Sequence, residues 1–70
     1  MNFVPTYPVF EVLNLDGQPI SVVIWQVRAI YDATARRQKV TRIEYANGDT
    51  LDTAEESTEV LDKFYAAAIH

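Results

Sequence analysis

The sequence predicts an α+β domain made of two β-hairpins followed by one C-terminal α-helix. Apolar and polar residues alternate with a period of two along much of residues 9–53, and Asp-Gly and Asn-Gly pairs interrupt the alternation. The last third of the chain changes to the helical period of 3.6. Because the chain has only 70 residues, we expect a single domain over residues 9–70, preceded by an extended arm at residues 1–8.

The first hairpin is predicted over residues 9–15 and 19–23, which alternate and are rich in Val and Ile. Asp16-Gly17 predicts the turn between them, because Gly17 can adopt a positive φ. Pro19 suits the start of the return strand, where its missing N–H does least harm. We therefore expect an antiparallel pair of strands at the start of the domain.

The middle of the chain predicts the rest of the sheet. Residues 24–31 are apolar almost throughout, which predicts a buried strand with a kink near Trp25-Gln26. A polar connection is expected over residues 33–39, followed by an alternating strand over residues 40–46. Asn47-Gly48 then predicts a type I′ turn into a last strand that ends near residue 53. The total is four to five antiparallel strands, in a small sheet or an SH3-like half-barrel.

A C-terminal helix follows from an apolar stripe and a start signal. Residues 53–56 match a capping box, and Ser57 is a competing N-cap. Several acidic residues lie in the first turns, where their negative charge interacts favourably with the positive end of the helix. The predicted core-facing stripe consists of Val60, Leu61, Phe64, Ala67 and Ala68.

Self-association is predicted from the shortage of covalent and metal supports. The chain has no cysteine, and its single histidine, His70, is the last residue. We expect His70 to belong to the chain terminus and not to act as a metal ligand. One core in a chain below about 80 residues rarely supplies more than about 3–5 kcal/mol of stability. We therefore expect a homo-oligomer.

The distribution of charge predicts a binding segment. The net charge of −4 argues against direct nucleic-acid binding and against an anionic membrane surface. Residues 28–42 nevertheless carry five basic residues against Asp32, a local charge of +4, and the rest of the chain carries −8. This segment is either a solvated loop or a contact for an anion or an acidic partner, including a second copy. The candidate partner-binding residues are Arg28, Arg36, Arg37, Lys39 and Arg42.

The aromatic residues divide into a core set and an interface set. Phe10, Tyr31, Tyr45 and Phe64 lie on faces predicted to be apolar and are assigned to the core. The other four exceed the needs of one small core, and Tyr and Trp are enriched in interface hot spots. The predicted oligomer interface consists of Phe3, Tyr7, Trp25 and Tyr65.

Catalytic patterns are missing from the sequence. There is no cysteine, no histidine within the predicted fold and no glycine-rich phosphate loop. The cluster Asp49, Asp52, Glu55 and Glu56 is more typical of helix capping and solvation than of a metal site. We expect no enzyme activity, no metal and no cofactor.

A cytoplasmic location is expected from the same sequence. Its longest apolar stretch, Ile20–Tyr31, is too short for a membrane span of about 20 residues. Residues 1–5 lack the basic region and the apolar run of a signal peptide.

Four segments occur in a distinctive order along the chain, at residues 15–20, 27–30, 40–48 and 57–61. Their order resembles that of the small FlbD/SwrD-type flagellar proteins, over about residues 10–65. Similar short proteins are common among phage open reading frames. The resemblance implies a small non-enzymatic regulatory or interaction domain, and it transfers no active residue to this chain.

Two functions are consistent with these features. The favoured one is a homo-oligomeric interaction protein that docks on another protein through its arginine-rich loop or its acidic helix. By analogy, a phage-encoded inhibitor of a host defence or regulatory complex fits this description. The alternative is an oligomer that sequesters a nucleotide or another small anion with the arginines of residues 28–42 and nearby aromatic side chains.

Overall fold

The computed structural model describes residues 8–69 as five strands and one α-helix. β1 and β2 form a two-stranded antiparallel sheet, and β3, β4 and β5 form a three-stranded antiparallel sheet in that order. The predicted α+β class, with hairpins followed by one C-terminal helix, is confirmed. The predicted arm up to residue 7, with Phe3 and Tyr7, and His70 lie outside the described residues. The elements are β1 (Val9–Leu13), β2 (Pro19–Val23), β3 (Val27–Ala35), β4 (Gln38–Tyr45), β5 (Thr50–Thr53) and α1 (Ser57–Ala68).

Two of the hairpin turns contain a glycine with positive φ, Gly17 at 82° and Gly48 at 95°. In the second of them, the Tyr45 carbonyl accepts a hydrogen bond from Gly48 N–H at 2.9 Å, and Tyr45 N–H donates to the Asp49 carbonyl at 2.8 Å. The predicted type I′ turn is therefore wrong, because Asn47 does not have a positive φ. A type I turn followed by a left-handed glycine makes a three-residue loop, which joins twisted strands equally well.

The connection between β3 and β4 is much shorter than predicted. The two strands pair as far as Ala35 opposite Gln38, so only Arg36 and Arg37 form the turn. Both arginines have positive φ, 52° and 62°. The prediction of a polar connection over residues 33–39 is wrong, because this two-residue turn lacks the glycine and asparagine that normally mark such turns.

Residues 24–31 do not form the buried strand that their composition predicts. Ile24–Gln26 form one turn of 3₁₀ helix, at the predicted kink, and β3 begins only at Val27. A shift of register between Val27 and Ala29 marks a bulge. β3 lies at one edge of its sheet, and none of its residues is fully buried.

The core lies between the two sheets and α1. Its fully buried members come from β1, β2, β4 and α1, and an isolated bridge between Asn14 and Thr53 joins the two sheets. Phe10 and Phe64 meet edge to face with ring centroids 6.2 Å apart, and Tyr45 packs against the core as predicted. Tyr31 is exposed instead, because it lies on the outer face of the sheet. The buried residues of this cluster are Phe10, Val12, Val22, Ile43 and Val60.

The start of α1 differs from the predicted capping box. Glu56 occupies the N-cap without a side-chain hydrogen bond, and Thr53 Oγ1 accepts a hydrogen bond from Glu55 N–H at 3.2 Å, before the helix begins. Of the predicted stripe, Val60 is buried, Phe64 and Ala67 pack against the core, and Ala68 is exposed. No helix within residues 8–69 combines the length and the apolarity needed to cross a bilayer.

Candidate interaction surface

The outer face of the three-stranded sheet carries an ion pair between β4 and β5. Arg42 and Asp52 are directly opposite in the register. The guanidinium binds the carboxylate through two bonds, Nε to Oδ1 at 2.8 Å and Nη2 to Oδ2 at 3.0 Å. The hydrogen bond from Arg42 lowers the pKa of Asp52, and the hydrogen bond to Asp52 raises the pKa of Arg42. Arg42 therefore holds two strands together.

Arg28 contacts a carboxylate on the same sheet. Its Nε lies 3.4 Å from Glu44 Oε2, and Tyr31 Oη donates a hydrogen bond to Glu44 Oε1 at 3.3 Å. The Arg28 side chain remains 67% exposed. Its charge is thus partly compensated within the chain, although its guanidinium is still accessible to a partner.

The β3–β4 turn has one paired arginine and one that makes no ion pair. Arg36 Nη1 contacts Asp16 Oδ1 at 3.1 Å, which connects this turn to the turn of the first hairpin. Arg37 and Lys39 make no ion pair with the residues that the structure describes. Arg28 lies near the start of β3 and Arg36 lies in the turn after its end, so the two are separated by up to about 26 Å along the strand. The five predicted cations therefore do not converge on one small site.

Ion pairs within the chain engage most of the basic residues, so the charges left without an ion pair among residues 8–69 are mainly acidic. Four of the six basic residues are paired with acids, as the four ion pairs within residues 8–69 show. Arg37 and Lys39 then remain against six acids, which reproduces the net charge of −4. Those acids are Glu11, Asp32, Asp49, Glu56, Glu59 and Asp62.

Glu55 connects α1 to the first sheet, a role that no sequence pattern indicates. Its carboxylate accepts a hydrogen bond from Leu13 N–H at 2.9 Å and pairs with Lys63 Nζ. Lys63 Nζ also donates to the Glu11 carbonyl at 2.9 Å, and Thr41 Oγ1 donates to the Glu55 carbonyl at 2.7 Å. Burial acts to raise the pKa of Glu55, but the bonds from Lys63 and Leu13 outweigh it and leave the pKa below its ordinary value.

Large apolar side chains are exposed on α1, just after it, and in the 3₁₀ turn that packs against it. Trp25 is 70% exposed in the 3₁₀ turn, Tyr65 is 59% exposed on α1, and Ile69 just after α1 is 81% exposed. α1 packs against the 3₁₀ turn that carries Trp25. Phe64 supports Tyr65 edge to face, with ring centroids 5.7 Å apart. Trp25 and Tyr65, both predicted as interface residues, are thus exposed aromatic side chains.

A groove of about 150 Å³ runs between β3 and α1, and Tyr65 lines it. On one side lie four consecutive residues of β3, from Val27 to Ile30, and on the other lie Leu61, Phe64 and Tyr65. Because consecutive strand residues point to opposite faces, a groove lined by four of them follows the edge of the strand. We call it the β3 groove. It combines a main-chain edge with an apolar wall.

Two further cavities lie elsewhere on the described part of the chain. The largest, about 450 Å³, lies beside the start of α1 and mixes Lys39 with Asp32, Glu55 and Glu56. A second, of about 340 Å³, is lined by Tyr45, whose pKa is raised by burial. Among the residues that the structure describes, no three His, Cys, Asp or Glu side chains are arranged to hold a metal ion. Asp52 and Glu55, from the acidic cluster considered above, are engaged by Arg42 and Lys63 instead.

Comparison with known proteins adds no relative. No family model matches the chain, and no curated protein and no solved structure is significantly similar to it.

Proposed function

We propose that this protein is a non-enzymatic interaction protein that works as a homo-oligomer, with Trp25 and Tyr65 in the interface between copies. The exposure of these two aromatic side chains, 70% and 59%, is the observation that carries the proposal. Trp and Tyr bury a large area at a small cost in side-chain entropy, which is why they dominate interface hot spots. Tyr65 lines the β3 groove and Trp25 lies in the 3₁₀ turn just before β3, which favours contact with another protein surface.

The size of the core supports self-association. Within residues 8–69, only six hydrophobic side chains are fully buried, and four of them are valines. Burial of such a side chain stabilises by about 1.5–3 kcal/mol relative to its exposure, so six of them provide a modest driving force against the entropy of ordering the chain. Burial of further apolar area between copies would add to it.

A second protein is the proposed partner of the oligomer. Arg37 and Lys39 at the β3–β4 turn offer positive charge to an acidic surface, while the exposed acids of α1 offer the opposite charge. Complementary electrostatic potentials on two protein surfaces speed their association and disfavour wrong partners. Inhibition of a host complex by a phage-encoded protein is one role of this kind, and the likeness to FlbD/SwrD-type proteins points to another regulatory contact.

Sequestration of a nucleotide or another small anion has less support. It needs several arginines at one site, but Arg28, Arg36 and Arg42 each contact a carboxylate of this chain. An anion would have to displace these carboxylates or bind to Arg37 and Lys39 alone. The geometry therefore favours the protein interface.

Light scattering coupled to size exclusion, over a range of protein concentrations, tests the proposal. We expect an oligomer at micromolar concentration, and we expect Trp25→Ala and Tyr65→Ala each to raise its Kd roughly tenfold or more. Leu13→Ala is the matched control, because Leu13 is also exposed but lies on β1. A monomeric wild-type chain at all concentrations, or equal effects of all three variants, would contradict the proposal. Circular dichroism of each variant checks that it folds.

A further inference from the structure

We propose that two copies of this chain associate through their α1 helices, which pack antiparallel about a two-fold axis at Tyr65, so that Ile69 of each copy enters the β3 groove of the other beside Leu61. The inference rests on the proposed self-association and names its geometry. It also assigns an occupant to the β3 groove.

The first step is a second apolar stripe on α1, on a different side from the core. The core-facing side of α1 carries Val60 and Phe64. Leu61, Tyr65 and Ile69 follow one another at intervals of four residues, which places them in one row on the neighbouring side of the helix. Ile69 directly follows α1 and keeps a right-handed helical backbone. We call the row of Leu61, Tyr65 and Ile69 the outer stripe.

The second step is the absence of charge around the end of this stripe. All charged residues of α1 lie before Phe64, and residues 64–69 carry none. Two copies with a net charge of −4 each repel one another wherever their acids meet. A strongly acidic or basic partner would find no charge to pair with on residues 64–69. The face that suits this surface is another uncharged apolar one, and the outer stripe of a second copy is such a face.

The third step is the fit between Ile69 and the β3 groove. Leu61 and Tyr65 form part of the groove wall, and the groove holds about 150 Å³. An apolar cavity of about 150 Å³ can hold a molecule of the size of benzene, so the groove has room for one aliphatic side chain. Ile69, at 81%, is the most exposed large hydrophobic side chain in the described part of the chain. A two-fold axis brings such a side chain and such a groove together twice.

The fourth step is the orientation of the two helices. With the axis at Tyr65, Leu61 lies opposite Ile69 of the partner subunit, and the two copies of Asp62 are about 9 Å apart along the helix axis. Parallel helices would place the two copies of Asp62 side by side, where like charges repel. They would also place Ile69 beside its own copy and away from the groove. Charge and fit therefore both favour the antiparallel pair.

Disulfide trapping tests this orientation, and the absence of cysteine from the natural chain leaves each variant with a single thiol. Leu61→Cys and Ile69→Cys are made separately, and neither residue is fully buried. A disulfide requires Cα atoms within about 7 Å, whereas two copies of position 61 would be about 12 Å apart along the helix axis. After mild oxidation, we expect a covalent dimer from the mixture and much less from either variant alone. A dimer from Leu61→Cys alone would indicate parallel helices and overturn the proposal.

Charges placed at Ala68 provide a second measurement that needs no covalent bond. With the axis at Tyr65, Ala68 lies opposite Asp62 of the partner subunit. We expect Ala68→Glu to raise the dimer Kd roughly tenfold or more, because like charges would then oppose each other across the interface. Ala68→Lys should leave the Kd unchanged or lower it. Equal weakening by both variants would contradict the antiparallel register.

The same two substitutions at Ala66 are the matched controls. Ala66 and Ala68 are both exposed and both lie in the last turns of α1. Ala66 lies about 100° around the helix from Tyr65, on the side away from Leu61. We expect little change in the dimer Kd from either substitution at Ala66, and circular dichroism verifies that every variant folds. A loss of affinity in Ala66→Glu as large as in Ala68→Glu would mean that charge acts without a specific contact, and would overturn the proposal.

The outcomes separate this inference from the proposed function. A native oligomer that Trp25→Ala weakens, with no trapping in the mixture and no effect of Ala68→Glu, would overturn the pairing of the α1 helices and leave self-association intact. A native chain that is monomeric at every concentration would overturn both.

Discussion

Arg36 and Arg37 occupy a backbone conformation that side chains other than glycine, asparagine and aspartate rarely adopt. Their φ angles of 52° and 62° are left-handed, which costs roughly 1–2 kcal/mol for an ordinary residue. The contact of Arg36 with Asp16 offsets only part of this cost, because both side chains are more than 60% exposed and exposed ion pairs contribute about 0–1 kcal/mol. The turn is thus set by the pairing of β3 with β4 and not by its own residues.

The variant Arg37→Asn tests this interpretation. Asparagine tolerates the left-handed region, so we expect the free energy of unfolding to increase by about 0.5–1 kcal/mol in urea titrations followed by circular dichroism. Lys39→Asn is the control, because it removes the same charge from a residue of β4 with ordinary φ. A gain in stability of equal size in both variants would indicate a charge effect and contradict the backbone explanation.

At the scale of elements, the position of α1 depends on contacts of Glu55 that span the chain. Glu55 binds Leu13 N–H on β1 and Lys63 on α1, and its carbonyl accepts from Thr41 on β4. One residue before the helix therefore connects three elements. Loss of the carboxylate charge should loosen the connection between α1 and the first sheet.

We expect Glu55→Gln to lower the free energy of unfolding by about 1 kcal/mol at pH 7, since it removes a charged partner from two donors. The estimate is at the low end of the range for charged hydrogen bonds because Lys63 is partly exposed. Glu56→Gln is the matched control, because Glu56 is exposed and makes no side-chain cap. Equal losses in the two variants would contradict the role assigned to Glu55.

The pH dependence of stability follows from the same contacts. The pKa values of Glu55 and Asp52 are lower in the folded chain than their ordinary values of 4.5 and 3.8. The native state therefore binds fewer protons, so this stabilisation is complete above the ordinary pKa values and disappears as the pH falls through the lowered ones. Urea titrations between about pH 6 and pH 2 should show stability falling toward acid, with a shallower fall in Glu55→Gln and Asp52→Asn. An unchanged slope in both variants would contradict the assignment.

For the whole molecule, the proposed self-association would couple folding to assembly, because the core is small and Trp25 and Tyr65 are exposed. If copies bury Trp25 and Tyr65 against each other, association stabilises the folded state. By mass action, the stability of the folded chain then increases with protein concentration. The ion pairs within one copy cannot replace this contribution, because exposed pairs stabilise little.

We therefore expect the Tm of the wild-type chain to rise with protein concentration, as measured by circular dichroism in cells of different path length. Trp25→Ala should show a smaller rise, because the association that produces it is weakened. A wild-type Tm independent of concentration would mean that folding does not depend on assembly.

The sequence by itself determined the order of the strands and the helix and the limits of β2, but it misplaced both ends of β3. Three of the patterns each involve residues that are close together in the sequence, so they can be interpreted without the fold. They are the alternation over residues 9–13, the glycines of two turns and the stripe around Val60. The exposure of Trp25 and Tyr65 followed from counting aromatic residues against the size of the core.

Only the tertiary structure decided which charges remain available and where α1 is attached. Arg42 and Asp52 are 10 residues apart, Arg36 and Asp16 are 20 apart, and Leu13 and Glu55 are 42 apart. Such contacts depend on the register of the strands and on the packing of the helix, so the segment of charge +4 could not be separated in advance into paired arginines and the remaining Arg37 and Lys39. The edge position of β3 also depends on the tertiary structure, because it follows from the order in which β3, β4 and β5 pair.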